Sequence, residues 1–575
     1  MRCLICIVTL LTLLALSVLA GVKPLEIDEK PHDFWRYDIT PHWNGRSLDD
    51  YANQLINTDN SGQIQNEQQA CINPLNPANR VTVWRDFRLG YRRVGVGYTF
   101  DYGATWTDEL FPLMYYAQAS DPVLVVDDQG VFTAMVISYN PGYEENGLLQ
   151  ISSHDGGVTW QDSVWAALTT DYSSFEDKEM LAVDTSALSP YYGSFYCVWS
   201  RFYAGDVPGD FDSTKIVCTH KRPGEPYSEP VIISPEQTSL QWSNLAIGVN
   251  GEVYITWDGY DFDEWWTAAI WFSRSLDGGV TFSTPTVITR PEFIHAEIEP
   301  GLATYSFAPL GVDHSDGPHR GRLYTVYANS DQLIDLDIYF AYSDDHGETW
   351  SQPVVLNDDD VVYPADQFHP WLTVDEVGRV WVAFYDRRND PHNLLMDLYF
   401  TVSEDGGATW RANERITTES CNPGAGNLDA GLIGEYIGWT AFDDEALAVW
   451  TDTRLGSQDC FTARLDSVFA DTSTVDTNDT VNDGFIFHPS SLALSAYPNP
   501  TNSEVALRYS LTALSAVRLE LYNTLGQLVR STDLGAQLPG EYTVHENLSG
   551  LATGLYIAKL NSAGQTTMTK IMLLK

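Results

Sequence analysis

The sequence has few basic residues, few cysteines and no long apolar run beyond its N-terminus. Lys and Arg together number 32 against 78 Asp and Glu, which gives a net charge of −46. Such an excess of negative charge excludes a nucleic-acid binder and a protein that binds anionic membranes through basic patches. Two roles for the acidity stay open, solubility and calcium binding by surface carboxylates.

The one long apolar run, Leu4 to Leu19, follows Arg2 and ends at the small-residue site Val18-Leu-Ala20. This pattern is typical of a secretory signal peptide, which we predict over residues 1–20. No later stretch reaches the length of a membrane span. We therefore expect an exported protein whose mature chain has no transmembrane segment.

Cysteine is scarce, and after removal of the signal peptide five remain: Cys71, Cys197, Cys218, Cys421 and Cys460. An odd number leaves at least one thiol unpaired unless it pairs between chains. Cys197 and Cys218 fall on neighbouring predicted strands. Two alternatives follow: they form a disulfide, or both are free buried thiols. No CxxC spacing is present, and we predict no metal site and no cofactor, with structural calcium as an open alternative.

One eight-residue phrase occurs five times. It reads [Ser/Thr]-x-Asp-x-Gly-x-Thr-[Trp/Phe], and its copies begin at Thr99, Ser153, Ser275, Ser343 and Ser403. An Asp that accepts nearby N–H bonds, followed by a Gly with positive φ, is typical of a tight turn between strands. The final ring anchors that turn by burial. We predict structural roles for the aspartates of the phrase, which are Asp101, Asp155, Asp277, Asp345 and Asp405.

This phrase resembles the Asp-box of the sialidase superfamily and of bacterial neuraminidase repeat proteins. The resemblance implies an all-β fold, a sialidase-like β-propeller over residues 53–468, with the Asp-boxes on the face away from the active site. Seven repeat units are present, and the seventh ends after its third strand near Leu465. Residues 53–59 match a fourth strand at 353–359, so we expect them to close the ring and remove its exposed edge. This favours seven blades, with six as the alternative.

The remaining segments flank the propeller. We predict an N-terminal arm over residues 21–52, an acidic Thr-rich linker over 469–490 and a small immunoglobulin-like β-sandwich over 491–575. Tyr497-Pro-Asn-Pro, Leu551-Ala-Thr-Gly and the closing Lys570-Ile-Met-Leu-Leu-Lys575 resemble the C-terminal sorting domain of type IX-secreted bacterial proteins. The resemblance implies that outer-membrane secretion machinery delivers the protein to the cell surface. An ordinary immunoglobulin-like accessory module is the alternative.

A second phrase ends the second strand of several repeats, as in Trp84-Arg-Asp-Phe-Arg88 and Trp450-Thr-Asp-Thr-Arg454. The loops that follow lie opposite the Asp-boxes, where converging arginines could clamp a carboxylate ligand. The alternative is that each Asp–Arg pair ties its own loop to a neighbouring blade. The predicted ligand-binding residues are Arg85, Arg88, Lys178, Arg201, His369, Arg387, Arg388 and Arg454, and the ligand that they favour is anionic.

The first residues of the inner strands lie at the same face of the propeller, opposite the Asp-boxes, around the opening of its central funnel. The sialidase resemblance implies a Tyr nucleophile, a Glu partner and an Asp acid/base, and the matching predicted catalytic residues are Tyr436, Glu435 and Asp121. The Phe/Tyr-Arg-Ile-Pro sequence of sialidases is missing, however, and adjacent residues such as Glu435 and Tyr436 face opposite ways on a strand. We expect His369 to be a hydrogen-bonded funnel residue.

The sequence therefore predicts a monomeric, surface-directed propeller that recognises or processes a glycan or glycoprotein. A sialidase-type glycoside hydrolase, a non-catalytic glycan-binding propeller and a protein-binding or adhesion scaffold all stay open.

Overall fold

The computed structural model describes residues 51–469 and 493–574 apart from short internal segments. These segments are 113–114, 205–210, 236–237, 262–263, 265–266, 331–334, 360–364, 426–431, 467, 498–500, 502–503, 512–514, 524–526, 538–539 and 563–564. The predicted signal peptide, nearly all of the arm and nearly all of the linker lie outside the described residues. Within them, no helix combines the length and the apolar character that crossing a membrane requires. The chain divides into two compact units, residues 1–470 and 471–575.

The N-terminal unit consists of consecutive four-stranded antiparallel sheets, numbered here as blades. It begins with β1 (Gln54–Leu55). Blades 1 to 3 contain β2 (Gln65–Ile72), β3 (Arg80–Asp86), β4 (Arg93–Thr99), β5 (Thr107–Leu110), β6 (Gln118–Val126), β7 (Phe132–Tyr139), β8 (Asn146–Ser153), β9 (Gln161–Thr169), β10 (Ser174–Val183), β11 (Phe195–Ala204), β12 (Phe211–Lys221) and β13 (Val231–Ile232).

The later blades follow the same order. Blades 4 and 5, with an inserted hairpin, contain β14 (Thr238–Ile247), β15 (Val253–Asp261), β16 (Thr267–Ser275), β17 (Thr286–Thr289), the hairpin strands β18 (His295–Ile298) and β19 (Leu302–Tyr305), β20 (Leu310–Val312), β21 (Leu323–Asn329), β22 (Asp337–Ser343) and β23 (Val354–Val355). Blades 6 and 7 contain β24 (Gln367–Val374), β25 (Val380–Asp386), β26 (Asp397–Ser403), β27 (Glu414–Arg415), a 3-10 helix (Pro423–Ala425), β28 (Gly438–Phe442), β29 (Glu445–Asp452) and β30 (Asp459–Leu465).

The described residues form seven such blades, and the last is completed from the opposite end of the unit. Its strand order is β28-β29-β30-β1, with Gln54 opposite Thr462 and Leu55 opposite Phe461. The innermost strand of blade 1, β2, packs against both β6 of blade 2 and β28 of blade 7. The blades therefore close into a ring, and the open edge of β30 is covered.

The second strand of most blades carries a large ring between neighbouring blades. Trp84, Trp199, Trp257, Trp381 and Trp450 are all fully buried. Burying these indoles supplies much of the apolar contact that holds one blade to the next.

All five Asp-boxes adopt the same turn. In each copy, the Thr hydroxyl donates a hydrogen bond of 2.6 Å to Asp Oδ2. The N–H of the same Thr donates to Asp Oδ1 at 2.8–2.9 Å. The Gly has a φ between +81° and +97°, as the turn requires. The carboxylates of the boxes are thus committed to local structure.

The C-terminal unit contains two packed antiparallel sheets. Its strands are β31 (Ala493–Tyr497), β32 (Glu504–Leu511), β33 (Ser515–Asn523), β34 (Leu528–Gln537), β35 (Gly540–Asn547), β36 (Gly554–Ser562) and β37 (Gln565–Leu573). One sheet has the order β31-β32-β35 and the other β34-β33-β36-β37. Their core includes Val505, Leu519 and Leu560. Two packed sheets agree with the β-sandwich predicted from the sequence.

The cysteines do not form the disulfide that the sequence left open. Cys197 lies opposite Thr219, and Cys218 lies opposite Val198. Since the two cysteines are one register position apart, their side chains lie on opposite faces of the sheet. All five cysteines of the described residues are free thiols.

Candidate functional site

A single strained position recurs at the start of the inner strands and brings side chains to the propeller axis. The equivalent residues have φ between +45° and +58° although none is glycine: Glu67, Asp121, Lys178, Trp242, Phe307 and His369. In five blades this residue interrupts the ladder between the first two strands as a bulge. Bulges re-aim side chains, and such strain is concentrated at functional sites. The repeated bulge therefore defines an axial cluster.

Lys178 is the centre of this axial cluster. Its Nζ lies 2.8 Å from Asp121 Oδ2 and 3.3 Å from Glu67 Oε1, and it also contacts Glu435 Oε2. Blades 1, 2 and 3 and the segment before blade 7 thus meet at one ammonium group. Arg85 adds a second cation, with Nη1 3.4 Å from Glu67 Oε1.

The carboxyl groups of the cluster have divergent acidities. Burial opposes ionisation of Asp121, but Lys178 and Arg85 overcome it and hold the pKa of Asp121 below its usual range. Burial raises the pKa of Glu67 to about 8 and the pKa of Asp177 to about 7. An ionised carboxylate and protonated carboxyl groups therefore coexist at neutral pH.

Glu179 lies beneath the cluster and is fully buried. Neither of its carboxyl oxygens has a hydrogen-bond partner among the described residues. Burial, reinforced by Asp121, raises the pKa of Glu179 well above its usual value. Like Glu67, it is a neutral acid next to an ionised one.

Glu435 and Tyr436 both reach Lys178, contrary to the expectation that adjacent residues would face opposite ways. They precede β28, so strand alternation does not apply to them. Lys178 Nζ lies 5.3 Å from the centroid of the Tyr436 ring, a cation–π contact. Burial raises the pKa of Tyr436 well above its usual value, although Lys178 opposes this effect. The structure thus brings together all three predicted catalytic residues.

The inserted hairpin β18–β19, which the sequence did not predict, adds aromatic rings to the cluster. Tyr305 packs 4.1 Å from Trp242 and stacks at 6.3 Å on His369. The expectation that His369 is hydrogen-bonded was wrong, since neither ring nitrogen has a partner among the described residues. Burial lowers the pKa of His369 to about 3, so the ring is neutral and serves as an aromatic wall.

The predicted arginine clamp takes a different form in the structure. Arg88 bonds to Asp86 in its own loop, at 2.9 Å, and to Asp108 at 2.8 Å. Arg454 likewise bonds to Asp452, at 2.6 Å, in the equivalent loop of blade 7. Both guanidinium groups are fasteners. Arg88 holds its loop against its own blade, whereas Arg454 also donates to Thr418 Oγ1, just after the last strand of blade 6, at 3.0 Å.

Blade 6 repeats the fastener. Arg388 bonds to Asp386 at 2.8 Å, and the neighbouring Arg387 is fully buried beside Asp366, with Nη1 donating to the Asn393 carbonyl at 2.9 Å. Arg388 is thus committed to groups of the protein. Arg387 is fully buried, and its Nε and Nη2 have no hydrogen-bond partner among the described residues.

Arg201 and Arg85 complete the set. Arg201 Nε donates to both oxygens of Glu176, each at 2.9 Å, so a carboxylate from β10 takes the place of the loop Asp. Arg85 differs because it lies one residue before Asp86 on β3 and so faces the axis, where it also bonds to Asn66 at 2.8 Å. Of the predicted arginines, Arg85 joins the axial cluster.

The described residues contain no group of three or more His, Cys, Asp or Glu side chains arranged to hold a metal ion. The Lys178 ammonium instead occupies the space between the carboxyl groups of Glu67, Asp121 and Glu435.

Comparison with protein families gives two matches. Residues 495–574 match the secretion system C-terminal sorting domain, and residues 341–352, around the fourth Asp-box, match the BNR/Asp-box repeat. The first match covers the two-sheet C-terminal unit almost completely.

Three solved structures that are similar to the chain are distant from it in sequence. A protein of unknown function from Dyadobacter fermentans is 16% identical, with 58% of this chain and 93% of that one covered and a TM-score of 0.39. The α-L-arabinanase of Penicillium chrysogenum, complexed with arabinobiose, is 12% identical (72% and 97% covered, TM-score 0.39). The Trypanosoma rangeli sialidase, in complex with sialic acid, is also 12% identical (80% and 85% covered, TM-score 0.37). The seven-bladed ring with its five Asp-box turns, together with the two family matches, makes the chain an Asp-box β-propeller joined to a sorting domain for secretion to the cell surface.

Proposed function

We propose that this protein processes neutral glycans at the cell surface, as a glycoside hydrolase whose acid–base chemistry resides in the axial cluster. The observation that carries the proposal is the meeting of Asp121, Glu67 and Glu435 from separate blades at the Lys178 ammonium. Hydrolysis of a glycosidic bond generally uses two carboxyl groups in different protonation states. The axial cluster supplies such groups within a few ångströms of one another.

The two groups have distinct roles. Glu67 is protonated at neutral pH because burial raises its pKa to about 8, and it donates that proton to the oxygen of the leaving sugar. Asp121 stays ionised beside Lys178, and its carboxylate attacks the anomeric carbon as the leaving sugar departs. Glu67 then takes a proton from the water that releases the sugar from Asp121. Glu435 fixes the position of Lys178.

Tyr436 is the other nucleophile that the cluster offers, in line with the sialidase resemblance. It lies beside Lys178, within reach of Glu435. The raised pKa of Tyr436 makes its phenolate costly to form, so we assign the catalytic roles to the carboxyl groups of Glu67 and Asp121.

The charge balance of the cluster supports a neutral substrate. Five acidic side chains (Glu67, Asp121, Asp177, Glu179 and Glu435) surround two cations, Lys178 and Arg85. The arginines expected to bind an anion are paired with carboxylates of the protein. Since Glu67 and Glu179 are protonated, three acidic side chains remain beside the two cations, so the cluster has no excess of positive charge that would attract an anionic sugar.

Non-catalytic glycan binding is the second candidate, and one observation favours it. Lys178 and Asp121 are only 7% and 4% exposed, Glu67 is fully buried, and the charges of Lys178 and Asp121 are mutually satisfied. A cluster so closed suits a structural role beneath a binding surface.

Hydrolysis of fluorogenic glycosides by the full-length chain tests the proposal. The panel contains neutral pyranosides and furanosides together with a sialoside. We expect turnover of a neutral substrate and a loss of about 100-fold or more in Glu67→Gln and Asp121→Asn, since a general acid–base group typically contributes that much and the second variant lacks the nucleophile. Asp162→Asn, which removes an exposed carboxylate on β9, is the matched control. Circular dichroism establishes that each variant is folded. Absence of turnover, or turnover of the sialoside alone, would contradict the proposal.

A further inference from the structure

We propose that blade 2 carries an extended aromatic surface that binds a neutral polysaccharide chain beside the axial cluster. This platform comprises Tyr115, Tyr116, Tyr143, Trp165 and Tyr172. The inference rests on the proposed function for the chemical class of its ligand, and it adds where the rest of the polymer lies.

Three rings form the outer part of the platform. Tyr115 is 68% exposed, yet its ring is fixed by edge contacts with Tyr116 at 5.2 Å and Trp165 at 5.5 Å. Tyr116 and Trp165 are themselves 6.0 Å apart and half-buried. A large ring held by aromatic neighbours but open to solvent costs little conformational entropy when a ligand covers it.

Two further tyrosines form the inner part. Tyr143 is 43% exposed and stacks at 4.9 Å on the buried ring of Tyr139, with Phe175 against its edge at 5.7 Å. Tyr172 is 50% exposed. Tyr143 and Tyr172 have φ of +59° and +58°, a conformation that bulky residues rarely adopt. Two strained and exposed tyrosines on neighbouring loops point to a function.

The two parts adjoin one another and the axial cluster. Tyr116 lies beside Glu145, two residues from Tyr143, and burial together with this carboxylate raises the pKa of Tyr116. Tyr139, which supports Tyr143, is close enough to Asp121 that this carboxylate adds to burial in raising the pKa of Tyr139. The loops involved follow the second and fourth strands, so they share the face on which the inner strands begin. The platform therefore extends outwards from the proposed catalytic groups.

The chemistry of this surface favours a neutral sugar polymer. Aromatic faces pack on the C–H surfaces of sugar rings, and the neighbouring Glu144, Glu145 and Asp171 can accept hydrogen bonds from sugar hydroxyls. The same carboxylates repel polyanions. Charged residues are depleted at the centre of protein interfaces, which makes a protein the less suitable occupant.

Affinity electrophoresis of the full-length chain tests the platform without measuring hydrolysis. Gels contain xylan, mixed-linkage β-glucan, arabinan or, as the anionic probe, polygalacturonate, and every chain carries Glu67→Gln so that the polymer stays intact. We expect retardation by at least one neutral polysaccharide, and Tyr115→Ala and Tyr172→Ala should each weaken it about two- to tenfold, as for loss of one aromatic contact. Phe100→Ala removes a ring that is 52% exposed on an Asp-box turn of the opposite face, and it should have no effect.

The outcomes separate this inference from the proposed function. Retardation that depends on Tyr115 and Tyr172 supports the platform even if the wild-type chain hydrolyses nothing. Hydrolysis of small glycosides combined with unaltered retardation in both tyrosine variants overturns the platform alone. Two further results overturn the platform: retardation by polygalacturonate alone, and no retardation by any polymer. Formation of a protein complex that depends on Tyr115 and Tyr172, without polysaccharide binding, also overturns the platform.

Discussion

Aspartate has two opposite roles in this propeller, and its surroundings decide between them. In the first Asp-box, hydrogen bonds from Thr105 and Thr99 hold the pKa of Asp101 at about 2, so it is an ionised acceptor at the surface. Asp258 on β15 is fully buried and accepts bonds from Ser306 Oγ at 2.6 Å and from Phe307 N–H at 2.8 Å. Burial raises the pKa of Asp258 to about 7.

Removal of one Asp-box carboxylate should destabilise the propeller. Asp345→Ala deprives the N–H and the hydroxyl of Thr349 and the hydroxyl of Ser343 of their acceptor. We expect the free energy of unfolding to fall by about 1–3 kcal/mol, since three hydrogen bonds are lost and each contributes about 0.5–1.5 kcal/mol net. Urea denaturation measures this, with Leu276→Ala in the third box as control because Leu276 is 64% exposed. An unchanged stability combined with lost glycan binding would refute the structural role.

Asp258→Asn should alter the pH dependence of stability. The folded-state pKa of about 7 lies above the ordinary aspartate value of 3.8, so the folded protein binds the proton more tightly. The stabilisation is present at acidic pH and is lost as pH rises from about 4 through 7, with each unit of separation worth about 1.4 kcal/mol. The variant should lack this decline in urea denaturation at pH 4.5, 6 and 7.5. An identical slope in both proteins would show that Asp258 is ionised throughout.

The inner strands of most blades share a β-bulge, which directs a side chain to the propeller axis and interrupts the sheet. In five blades a bulge at the start turns one residue into the left-handed region, and in blades 1, 2 and 3 that residue is Glu67, Asp121 and Lys178, respectively. Their side chains meet because the ring brings these strand ends together. The positive φ at these non-glycine residues is the strain that accompanies a built site.

The closing strand is the element on which the ring depends. Ile56 follows β1 and is fully buried, with its N–H bonded to the Cys460 carbonyl at 2.8 Å. Ile56→Ala should therefore cost about 2–5 kcal/mol and lower the melting temperature, as large-to-small core substitutions do. Leu55→Ala is the control, since Leu55 is 40% exposed and surface changes cost about 0.5 kcal/mol or less. Equal melting temperatures for the two variants would argue against closure by this strand.

The two units of the chain separate its functions. The propeller contains the axial cluster and the platform, whereas residues 495–574 match a sorting domain. Each unit has its own apolar core, which is typical of a domain that can fold separately.

Truncation after Asp471 should separate folding from delivery. In a bacterium with the cognate secretion system, we expect the shortened chain to retain the circular dichroism of the propeller but to accumulate in the periplasm. Cell fractionation and surface labelling measure this, with the full-length chain under the same promoter as control. Surface delivery of the truncated chain at the normal level would contradict the export role of the C-terminal unit.

Local patterns in the sequence were sufficient to predict the Asp-box turns, the blades and the C-terminal domain. Each Asp-box satisfies its carboxylate within eight residues, so its turn needs no distant contact. The fourth-strand match of residues 53–59 gave the location of the closing strand, because strand pairing depends on side-chain alternation that the chain displays directly. The sorting-domain landmarks are likewise contiguous.

The axial cluster and the roles of the arginines depend on tertiary structure. Glu67, Asp121, Lys178 and Glu435 are far apart in sequence, and only ring closure together with the repeated bulge brings them to one point. Arg85 and Arg88 occur in the same phrase, yet one faces the axis and the other fastens its loop, because strand alternation continues through Asp86 and ends in the turn. Whether a guanidinium is free for a ligand depends on the carboxylates that folding places beside it, and no local pattern specifies those.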